Sequence, residues 1–178
     1  MEIIDIFDEN GNKIGEKEKN QAHIDHDWHN VCHVWIVNGN DILIQKRSKN
    51  KKSFPNIWDI AVAGHFQAGE TPLDASKREM KEEIGITFLD DSISFKKFKV
   101  GSPNGYIVNE FQYVVVVSKD VDASKLKLDP LEVDDVKWVS KDELLNMYKK
   151  KEFFQYRYEY LDYVFSCMDK IKSRENEK

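Results

Sequence analysis

Residues 64–86 read GHFQAGETPLDASKREMKEEIGI, a loop that leads into a strongly marked helix. Thr71 can cap this helix, Pro72 suits its first position, and Asp74 completes a Thr-x-x-Asp capping pattern. Gly85 stands where a glycine in the left-handed conformation commonly ends a helix. These residues predict a helix from about residue 71 to residue 85.

Three glutamates give this helix a possible chemical face. Glu79, Glu82 and Glu83 are separated by three and four residues, so their side chains share one side. Carboxylates placed together repel one another, but they are the hard oxygen ligands that Mg²⁺ or Mn²⁺ prefers. Arg78 could hold one carboxylate in a bidentate clamp, and Glu70 could add an oxygen. The alternative is an acidic face in solvent, the usual fate of a charge run.

The complete spacing favours the metal-binding interpretation. The segment is similar, at every defined position, to the signature of the Nudix hydrolases, G-x5-E-x7-R-E-U-x-E-E-x-G-U, in which U is aliphatic. The resemblance implies the Nudix fold, an α/β architecture with a mixed β-sheet sandwiched between α-helices. It also implies an enzyme in which water attacks a phosphorus atom of a diphosphate.

The resemblance assigns roles to the matching residues. Those matching Glu79, Glu82 and Glu83 bind the catalytic metals, with Mg²⁺ or Mn²⁺ as the cofactor. Such ions neutralise the charge of a diphosphate and lower the pKa of a bound water molecule. We therefore expect Glu82 and Glu83 to act in catalysis as well as in metal binding.

Three further residues complete the implied site. The residue matching Glu70 supports it and could add an oxygen ligand, and the carbonyl of the residue matching Gly64 can also contribute to the metal. The residue matching Arg78 orients a glutamate through a salt bridge, which makes Arg78 a catalytic candidate.

A general base outside this segment is a further expectation. Glu132 precedes Trp138 in the stretch 131–139, and many Nudix chains resemble this one in placing an acid in that loop. Glu132 is our candidate and Glu110 is a second. The alternative is a loop acid that faces only solvent.

A wider stretch, from about Ile3 to Met147, resembles isopentenyl diphosphate isomerase and its hydrolase relatives. The segments that carry this resemblance are residues 8–11 (DENG), His23, His29, the hairpin at 33–47, residues 45–48 (QKRS), residues 54–58 (FPNIW) and residues 63–66 (AGHF). In the isomerase, the residues matching His23, His29 and His65 join a metal site. The residues matching Arg47 and Lys51 hold the diphosphate.

The chain departs from the isomerase at positions that carry its chemistry. Ala63 replaces the cysteine that serves in proton transfer at the alkene, and alanine cannot exchange a proton. Val108 occupies the place of one of two acids near the next strand, which leaves Glu110. The isomerase signature is degraded, whereas this one is intact, so hydrolysis is the expected reaction.

The cationic and histidine candidates each have a structural alternative. His65 lies beside the metal-binding loop and is a candidate ligand, although a single histidine is more often structural. Arg47 and Lys51 are candidates for binding substrate phosphates, because arginine grips phosphate oxygens bidentately. Their alternative is a basic surface loop, since five cations crowd residues 46–52.

Periodicity and turn residues place the other elements. An Asn-Gly pair at 38–39, between the apolar runs 33–37 and 42–47, predicts a β-hairpin. We also predict a short strand on each side of residues 8–12, strands at 58–63, 111–117 and 136–139, and a helix from Ser140 to about Tyr148.

The chain is expected to form one Nudix domain at residues 1–150, followed by a C-terminal helix at residues 151–178 with a frayed tail from Ser173. Within that part, the stripe Phe154, Tyr158, Leu161, Phe165 and Met168 predicts a helix from Glu152 to about Lys172. The stripe could pack on the domain, form a homodimer contact or cover the substrate.

Composition and charge restrict the classes of molecule that the protein is expected to bind and the compartment in which it is expected to occur. The formal net charge of −5 over 178 residues argues against general nucleic-acid binding, which needs a basic surface. The absence of a signal-like start and of a long apolar run predicts a cytoplasmic protein that does not enter membranes. Two cysteines without CxxC spacing predict free thiols.

The expected function is metal-dependent hydrolysis of a diphosphate linkage in a nucleoside diphosphate derivative or another small organic diphosphate. Two alternatives remain at this point. One is isomerase-type activity, which Ala63 disfavours, and the other is a non-catalytic Nudix module that only binds a ligand.

Overall fold

A computed structural model describes residues 1–101 and 108–177. Within these residues the chain forms strands and helices in mixed order. The strands are β1 (Ile3–Phe7), β2 (Lys13–Glu18), β3 (His29–Asn38), β4 (Asp41–Arg47), β5 (Trp58–Ile60), β6 (Val62–His65), β7 (Lys96–Val100), β8 (Glu110–Ser118) and β9 (Val133–Ser140). The helices are α1 (Lys19–Ile24), α2 (Pro72–Ile84), α3 (Lys141–Lys149) and α4 (Tyr158–Asn176), with a 3-10 turn at Ala123–Lys125.

The strands form two sheets. β1 and β2 make an antiparallel pair, and the remaining seven strands form one sheet with the order β5-β4-β3-β8-β7. In that sheet β6 also pairs with β3, and β9 also pairs with β4. A multi-stranded sheet combined with helices confirms the predicted α/β class.

The chain divides into two compact units, which are described separately. Unit 1 comprises Met1–His33, Ala63–Glu79 and Thr87–Val115, and unit 2 comprises Val34–Val62, Met80–Ile86 and Val116–Lys178. This division differs from the predicted boundary after residue 150, because residues on both sides of that boundary fall in unit 2.

Unit 1 contains two small apolar clusters. Ile4 and Ile6 of β1 pack with Ala22 of α1. Cys32, Phe66 and Ala75 form a second cluster, against which Tyr113 packs. Cys32 and Cys167 are both free thiols, as predicted.

His33 on β3 is buried, and burial lowers its pKa to about 4 from an ordinary value of 6.5. The folded chain therefore keeps His33 neutral at a pH where the unfolded chain takes up a proton. The free energy of unfolding should therefore be highest above about pH 6.5. It should fall by up to roughly 3 kcal/mol as the pH decreases toward 4. Urea unfolding at pH 7 and pH 4.5 should show a smaller loss for His33→Gln than for the wild type. Equal losses in both proteins would show that His33 is not the responsible group.

Unit 2 contains the predicted hairpin. β3 and β4 pair with Ile36 opposite Leu43 and Asn38 opposite Asp41, and Gly39 takes a φ of +59° in the turn. A positive φ is easy for glycine, which explains the Asn-Gly signal. β4 also pairs with β5 and with β9, so it has neighbours on both edges.

The predicted strand at 58–63 is divided at Ala61. β5 pairs with β4, whereas β6 pairs with β3, so the chain changes partners between them. A run of apolar residues does not reveal a change of partner, because both pieces are equally suited to a sheet.

The C-terminal helix begins later and ends later than predicted. The backbone amide of Phe154 donates to Trp58 O, and the amide of Trp58 donates to Glu152 O, so residues 152–154 are extended. Helix α4 then runs through Ser173 to Asn176, and fraying of this end stays a prediction. Lys178 lies outside the described residues.

The buried face of α4 also differs from the predicted stripe. Tyr160, Leu161, Val164 and Met168 are buried, whereas Tyr158 is 74% exposed. Trp35 Nε1 donates to the Tyr160 hydroxyl at 2.9 Å, and the Tyr156 and Tyr160 rings stack with centroids 4.5 Å apart. The later start of the helix places Tyr160, rather than Tyr158, on the packed side.

Candidate active site

Helix α2 has the ends that its sequence predicts. The backbone amide of Asp74 donates to Thr71 Oγ1 at 3.2 Å, and the Thr71 hydroxyl donates to Asp74 Oδ2 at 2.7 Å. Gly85 follows the helix with a φ of +76°, and a Cβ there would lie 2.8 Å from Lys127 Cβ. The helix is therefore held at both ends, which fixes the acids along its length.

Gly64 makes room for Glu79 within unit 1. A Cβ added to Gly64 would lie 2.0 Å from Glu79 Cδ and within 2.4 Å of both carboxylate oxygens. Glu79 is only 8% exposed, so its carboxylate occupies the space that a larger residue would fill. The glycine at this position therefore serves close approach between the loop and the helix.

Arg78 holds two acids and a main-chain carbonyl. Its Nε donates to Glu70 Oε1 at 2.7 Å and its Nη2 to Glu70 Oε2 at 2.8 Å, a bidentate pair. Nη1 donates to Glu79 Oε1 at 2.8 Å, and Nη2 also donates to the carbonyl of His65 at 2.8 Å. The bidentate partner is thus Glu70, whereas Glu79 receives a single bond.

These contacts favour the charged forms of Arg78 and Glu70. The hydrogen bond with Glu70 is the largest cause of a raised pKa for Arg78, with the charge of Glu79 adding to it. Burial is the largest single influence on the pKa of Glu70 and raises it, but the hydrogen bonds from Arg78 and Gln67 and the charge of Arg78 together lower that pKa overall. Glu70 also accepts from the amide of Gln67 at 2.8 Å, so its carboxylate is fixed in the loop.

Replacing Arg78 with lysine should lower the free energy of unfolding by about 2 kcal/mol, because one ammonium cannot make the same set of charged hydrogen bonds. Urea unfolding measures the change. Arg157→Lys is the matched control, since the contact of Arg157 Nη1 with Glu159 Oε1 is 3.9 Å long and lies near the surface. The interpretation fails if both substitutions shift the midpoint equally.

Glu82 and Glu83 follow on the same helix with different surroundings. Glu82 is exposed, whereas Glu83 is 4% exposed. Glu83 Oε2 accepts a hydrogen bond of 2.8 Å from Gln45 Nε2, and its carbonyl accepts from the amide of Asp129 at 3.1 Å. The structure thus holds Glu83 by both its side chain and its main chain.

Three histidines meet in unit 1. Ring nitrogens of His23, His29 and His65 all lie within 4.8 Å of one another, and the Nε2 atoms of His23 and His65 are 2.9 Å apart. His29 Nδ1 is 2.9 Å from Asp27 O, and a carbonyl only accepts, so this nitrogen carries the proton. Nε2 of His29 has no hydrogen-bond partner among residues 1–101 and 108–177, and it presents a lone pair to the cluster when the ring is neutral.

Burial favours the neutral forms of His23 and His65. It is the largest cause of a lowered pKa for His23 and for His65, and His29 lowers both further. Burial alone would raise the pKa of Glu110, but His29 and Gln112 beside it bring it down to about 2. Glu110 Oε1 lies 3.8 Å from His29 Nε2, so a carboxylate borders the three imidazoles.

Arg47, a predicted phosphate ligand, contacts its own loop in unit 2. Nε donates to Phe54 O at 3.1 Å and Nη2 to Ser53 O at 3.0 Å, and Nη1 lies 3.5 Å from Asp59 Oδ2. Asp59 also accepts from the Tyr156 hydroxyl at 2.6 Å. Arg47 therefore organises this loop, and its contact with a substrate remains a prediction.

Lys51 and Glu132, the predicted phosphate ligand and the predicted base, form an ion pair with each other. The amide of Ser48 donates to Glu132 O at 2.9 Å, which joins the two loops through their main chains as well. The amide of Glu132 donates to Asp129 O, and the amide of Asp129 donates to Glu83 O. The loop of Glu132 is thus attached to the end of helix α2.

Sequence reasoning missed the contact between Gln45 and Glu83. Gln45 directly follows the three apolar residues Ile42–Ile44 in β4 and is buried with them. Its place at the end of this apolar run is the signal that the amide needs a buried hydrogen-bond partner.

Comparison with known proteins identifies the family. The model of the NUDIX domain matches residues 28–163. Nudix hydrolase 3 of Arabidopsis thaliana is 34% identical over 160 residues, which cover 85% of this chain but only 21% of that protein. An uncharacterized Nudix hydrolase of Listeria innocua is 40% identical over 129 residues, covering 72% of this chain and 73% of the relative.

The isomerase branch and a solved structure are also similar. The isopentenyl-diphosphate Delta-isomerase of Cutibacterium acnes is 30% identical over 148 residues, covering 78% of this chain and 73% of that enzyme. The crystal structure of DR0079 from Deinococcus radiodurans superposes with a TM-score of 0.69 at 24% identity, covering 93% and 99% of the two chains. Among the described residues, no helix is both long enough and apolar enough to cross a bilayer.

Proposed function

Because the chain belongs to the Nudix hydrolase family, we propose that it hydrolyses a diphosphate linkage with the help of Mg²⁺ or Mn²⁺. The substrate class is a nucleoside diphosphate derivative or another small organic diphosphate. The observation that carries this proposal is the intact set of acids on helix α2, with Glu79 held by Arg78 and Glu83 held by Gln45.

The donor set fits a hard divalent cation. In our assignment Glu79, Glu82 and Glu83 would supply carboxylate oxygens, since their spacing along helix α2 places them on one side of it. Gly64 leaves the space in which the carboxylate of Glu79 lies. When bound, Mg²⁺ neutralises charge on the diphosphate and makes a water molecule more acidic. In our assignment Gly64 contributes its carbonyl, and Glu70 acts mainly through Arg78, because both of its oxygens already accept from that guanidinium.

The proposal gives Arg78 a positioning role. Its guanidinium donates hydrogen bonds both to Glu70 in the loop and to Glu79 on the helix. It also donates to the carbonyl of His65, in the strand that precedes the loop. Three separate pieces of unit 1 are thereby held around one guanidinium. Such preorganisation keeps the acids from reorienting when a charged substrate arrives.

The ion pair between Lys51 and Glu132 suggests how the base could be released. An ammonium that binds a carboxylate can also bind a phosphate oxygen, so a diphosphate would compete for Lys51. Glu132 would then be free to accept a proton from the attacking water. We also propose Arg47 as a phosphate ligand, because a guanidinium can grip phosphate oxygens bidentately. Binding would compete with the bonds that Arg47 donates to the carbonyls of Ser53 and Phe54.

We also propose that His65 binds a metal ion together with His23 and His29. Three ring nitrogens within 4.8 Å of one another, and a His29 Nε2 atom without a hydrogen-bond partner among the described residues, support this assignment, since neutral imidazole nitrogens are common metal ligands. This cluster and the isomerase relatives favour alkene isomerisation as the second candidate function. Ala63 stands against it, because no proton-transferring group is present at that position.

A panel of diphosphates tests the proposal. The full chain is incubated with nucleoside diphosphate sugars, dinucleotides, free nucleotides and prenyl diphosphates, and ³¹P NMR follows the products with Mg²⁺ or with EDTA. We expect at least one class to be cleaved only with Mg²⁺. Conversion of isopentenyl to dimethylallyl diphosphate would favour the isomerase, and absence of turnover of every class would contradict both enzymatic functions.

A further inference from the structure

Gln45 makes two hydrogen bonds with a single nitrogen. Its Nε2 lies 3.0 Å from Ala61 O and 2.8 Å from Glu83 Oε2, and all three residues belong to unit 2. Gln45 is 4% exposed and Glu83 is 4% exposed, so water does not compete freely for these bonds. A buried amide that contacts a carboxylate in this way contributes more than a surface contact would.

The two acceptors determine which way the amide faces. The main-chain carbonyl of Ala61 can only accept, so the nitrogen rather than the oxygen of Gln45 must face it, and the same nitrogen lies 2.8 Å from Glu83 Oε2. Both of its N–H groups are then used, one for Ala61 and one for Glu83. The bond to Oε2 sets the plane of the Glu83 carboxylate, and hence the direction in which Oε1 points.

The strand that carries Gln45 is well fixed. In the sheet, Gln45 stands opposite Asp59 of β5 on one edge of β4 and opposite Val136 of β9 on the other. Ala61, the second acceptor, lies at the break between β5 and β6. The amide is therefore held by the centre of the sheet rather than by a loop, which suits a group that positions another.

We propose that Gln45 is a positioning residue for Glu83, which fixes the direction of this carboxylate before a metal ion or a substrate binds. The inference rests on the proposed function and deepens it. It states that a residue of strand β4, outside the signature segment, determines the orientation of one of the signature acids. Gln45 itself touches neither metal nor substrate in this account.

A purely structural role is the competing explanation. In that case Gln45 would only satisfy the Ala61 carbonyl, and its loss would destabilise the fold without a specific effect on Glu83. The two explanations differ in energetic coupling, since a residue that acts through Glu83 no longer has a charged metal ligand to position once Glu83 is replaced by glutamine.

The test measures Mn²⁺ binding without substrate, by the loss of the free-ion EPR signal, together with kcat and KM for the best diphosphate of the panel. The variants are Gln45→Met, which keeps the length without a donor, and Gln45→Asn, which keeps the amide but shortens its reach. Each is also combined with Glu83→Gln. Gln155→Met is the control. Gln155 Nε2 also donates two hydrogen bonds, but both go to main-chain carbonyls, Tyr148 O and Phe153 O, rather than to a signature acid.

We expect Gln45→Met to weaken Mn²⁺ affinity and to lower kcat by about tenfold each, with KM changed by less than about twofold. In the Glu83→Gln background the same substitution should change Mn²⁺ affinity by less than about twofold, and Gln155→Met should have no effect on affinity. If Gln45→Met does not fold, the same comparison is made with Gln45→Asn, alone and combined with Glu83→Gln.

Two outcomes overturn the inference alone. One is a wild type that binds Mn²⁺ and cleaves a diphosphate while its folded Gln45 variants match it. The other is an equal loss of affinity in both backgrounds. Failure of the proposed function gives a different result, in which the wild type itself neither binds Mn²⁺ nor cleaves any diphosphate.

Discussion

Replacing Gly64 with alanine is expected to lower kcat about a hundredfold, because misplacing a catalytic group by an ångström can cost this much. The added Cβ would lie 2.0 Å from Glu79 Cδ, so the carboxylate must leave its place. Movement would also break its bond to Arg78 Nη1. Glu79 ends a flexible side chain, so we expect the change to affect activity far more than stability.

Gly15→Ala is the matched control for this prediction. A Cβ at Gly15 would meet only the Ile6 side chain, at 3.7 Å and 3.8 Å, which is ordinary contact. Steady-state kinetics with Mg²⁺ and urea unfolding of both variants separate catalysis from folding. A Gly64→Ala enzyme with the kcat of Gly15→Ala would show that the position of Glu79 is unimportant.

The helix of the signature segment could be predicted from the sequence because its information is local. Thr71, Asp74 and Gly85 specify its ends, and the helical repeat determines the face shared by Glu79, Glu82 and Glu83. The hairpin was predictable for the same reason, since Gly39 adopts the positive φ that its turn requires.

Elements without such signals were not predicted. Helix α1 has the polar sequence KNQAHI, and only Ala22 is buried in it. Strand β7 reads KKFKV, and charged residues of this kind are unfavourable for a strand by propensity. Its lysines lie over aromatic rings instead, with Lys97 4.2 Å from the Phe111 centroid and Lys99 4.9 Å from that of Trp28.

The partners of the predicted site residues depend on long-range contacts. Lys51 and Glu132 were assigned separate roles, and only the fold shows that they pair across 81 positions of the chain. Gln45 and Glu83 are 38 positions apart. Spacing within one segment can predict a helix face, but it cannot predict which strand or loop approaches that face.

Replacing Glu83 with glutamine is expected to have the largest effect, a loss of about a thousandfold in kcat, equivalent to roughly 4 kcal/mol of transition-state stabilisation. Glutamine has nearly the same shape, and its oxygen can still accept from Gln45 Nε2. The substitution therefore removes charge and metal affinity while it keeps the buried contact. Glu159→Gln is the control, because Glu159 lies in the exposed first turn of α4.

The central claim is that the acids of helix α2 support metal-dependent cleavage of a diphosphate. The most direct measurement is the rate of product release against Mg²⁺ concentration, with one substrate, for wild type, Glu83→Gln and Glu159→Gln. We predict saturable dependence on Mg²⁺ for the wild type and Glu159→Gln, and almost no release by a folded Glu83→Gln. Equal rates in all three proteins, or a wild-type rate that is unchanged by EDTA, would contradict the claim.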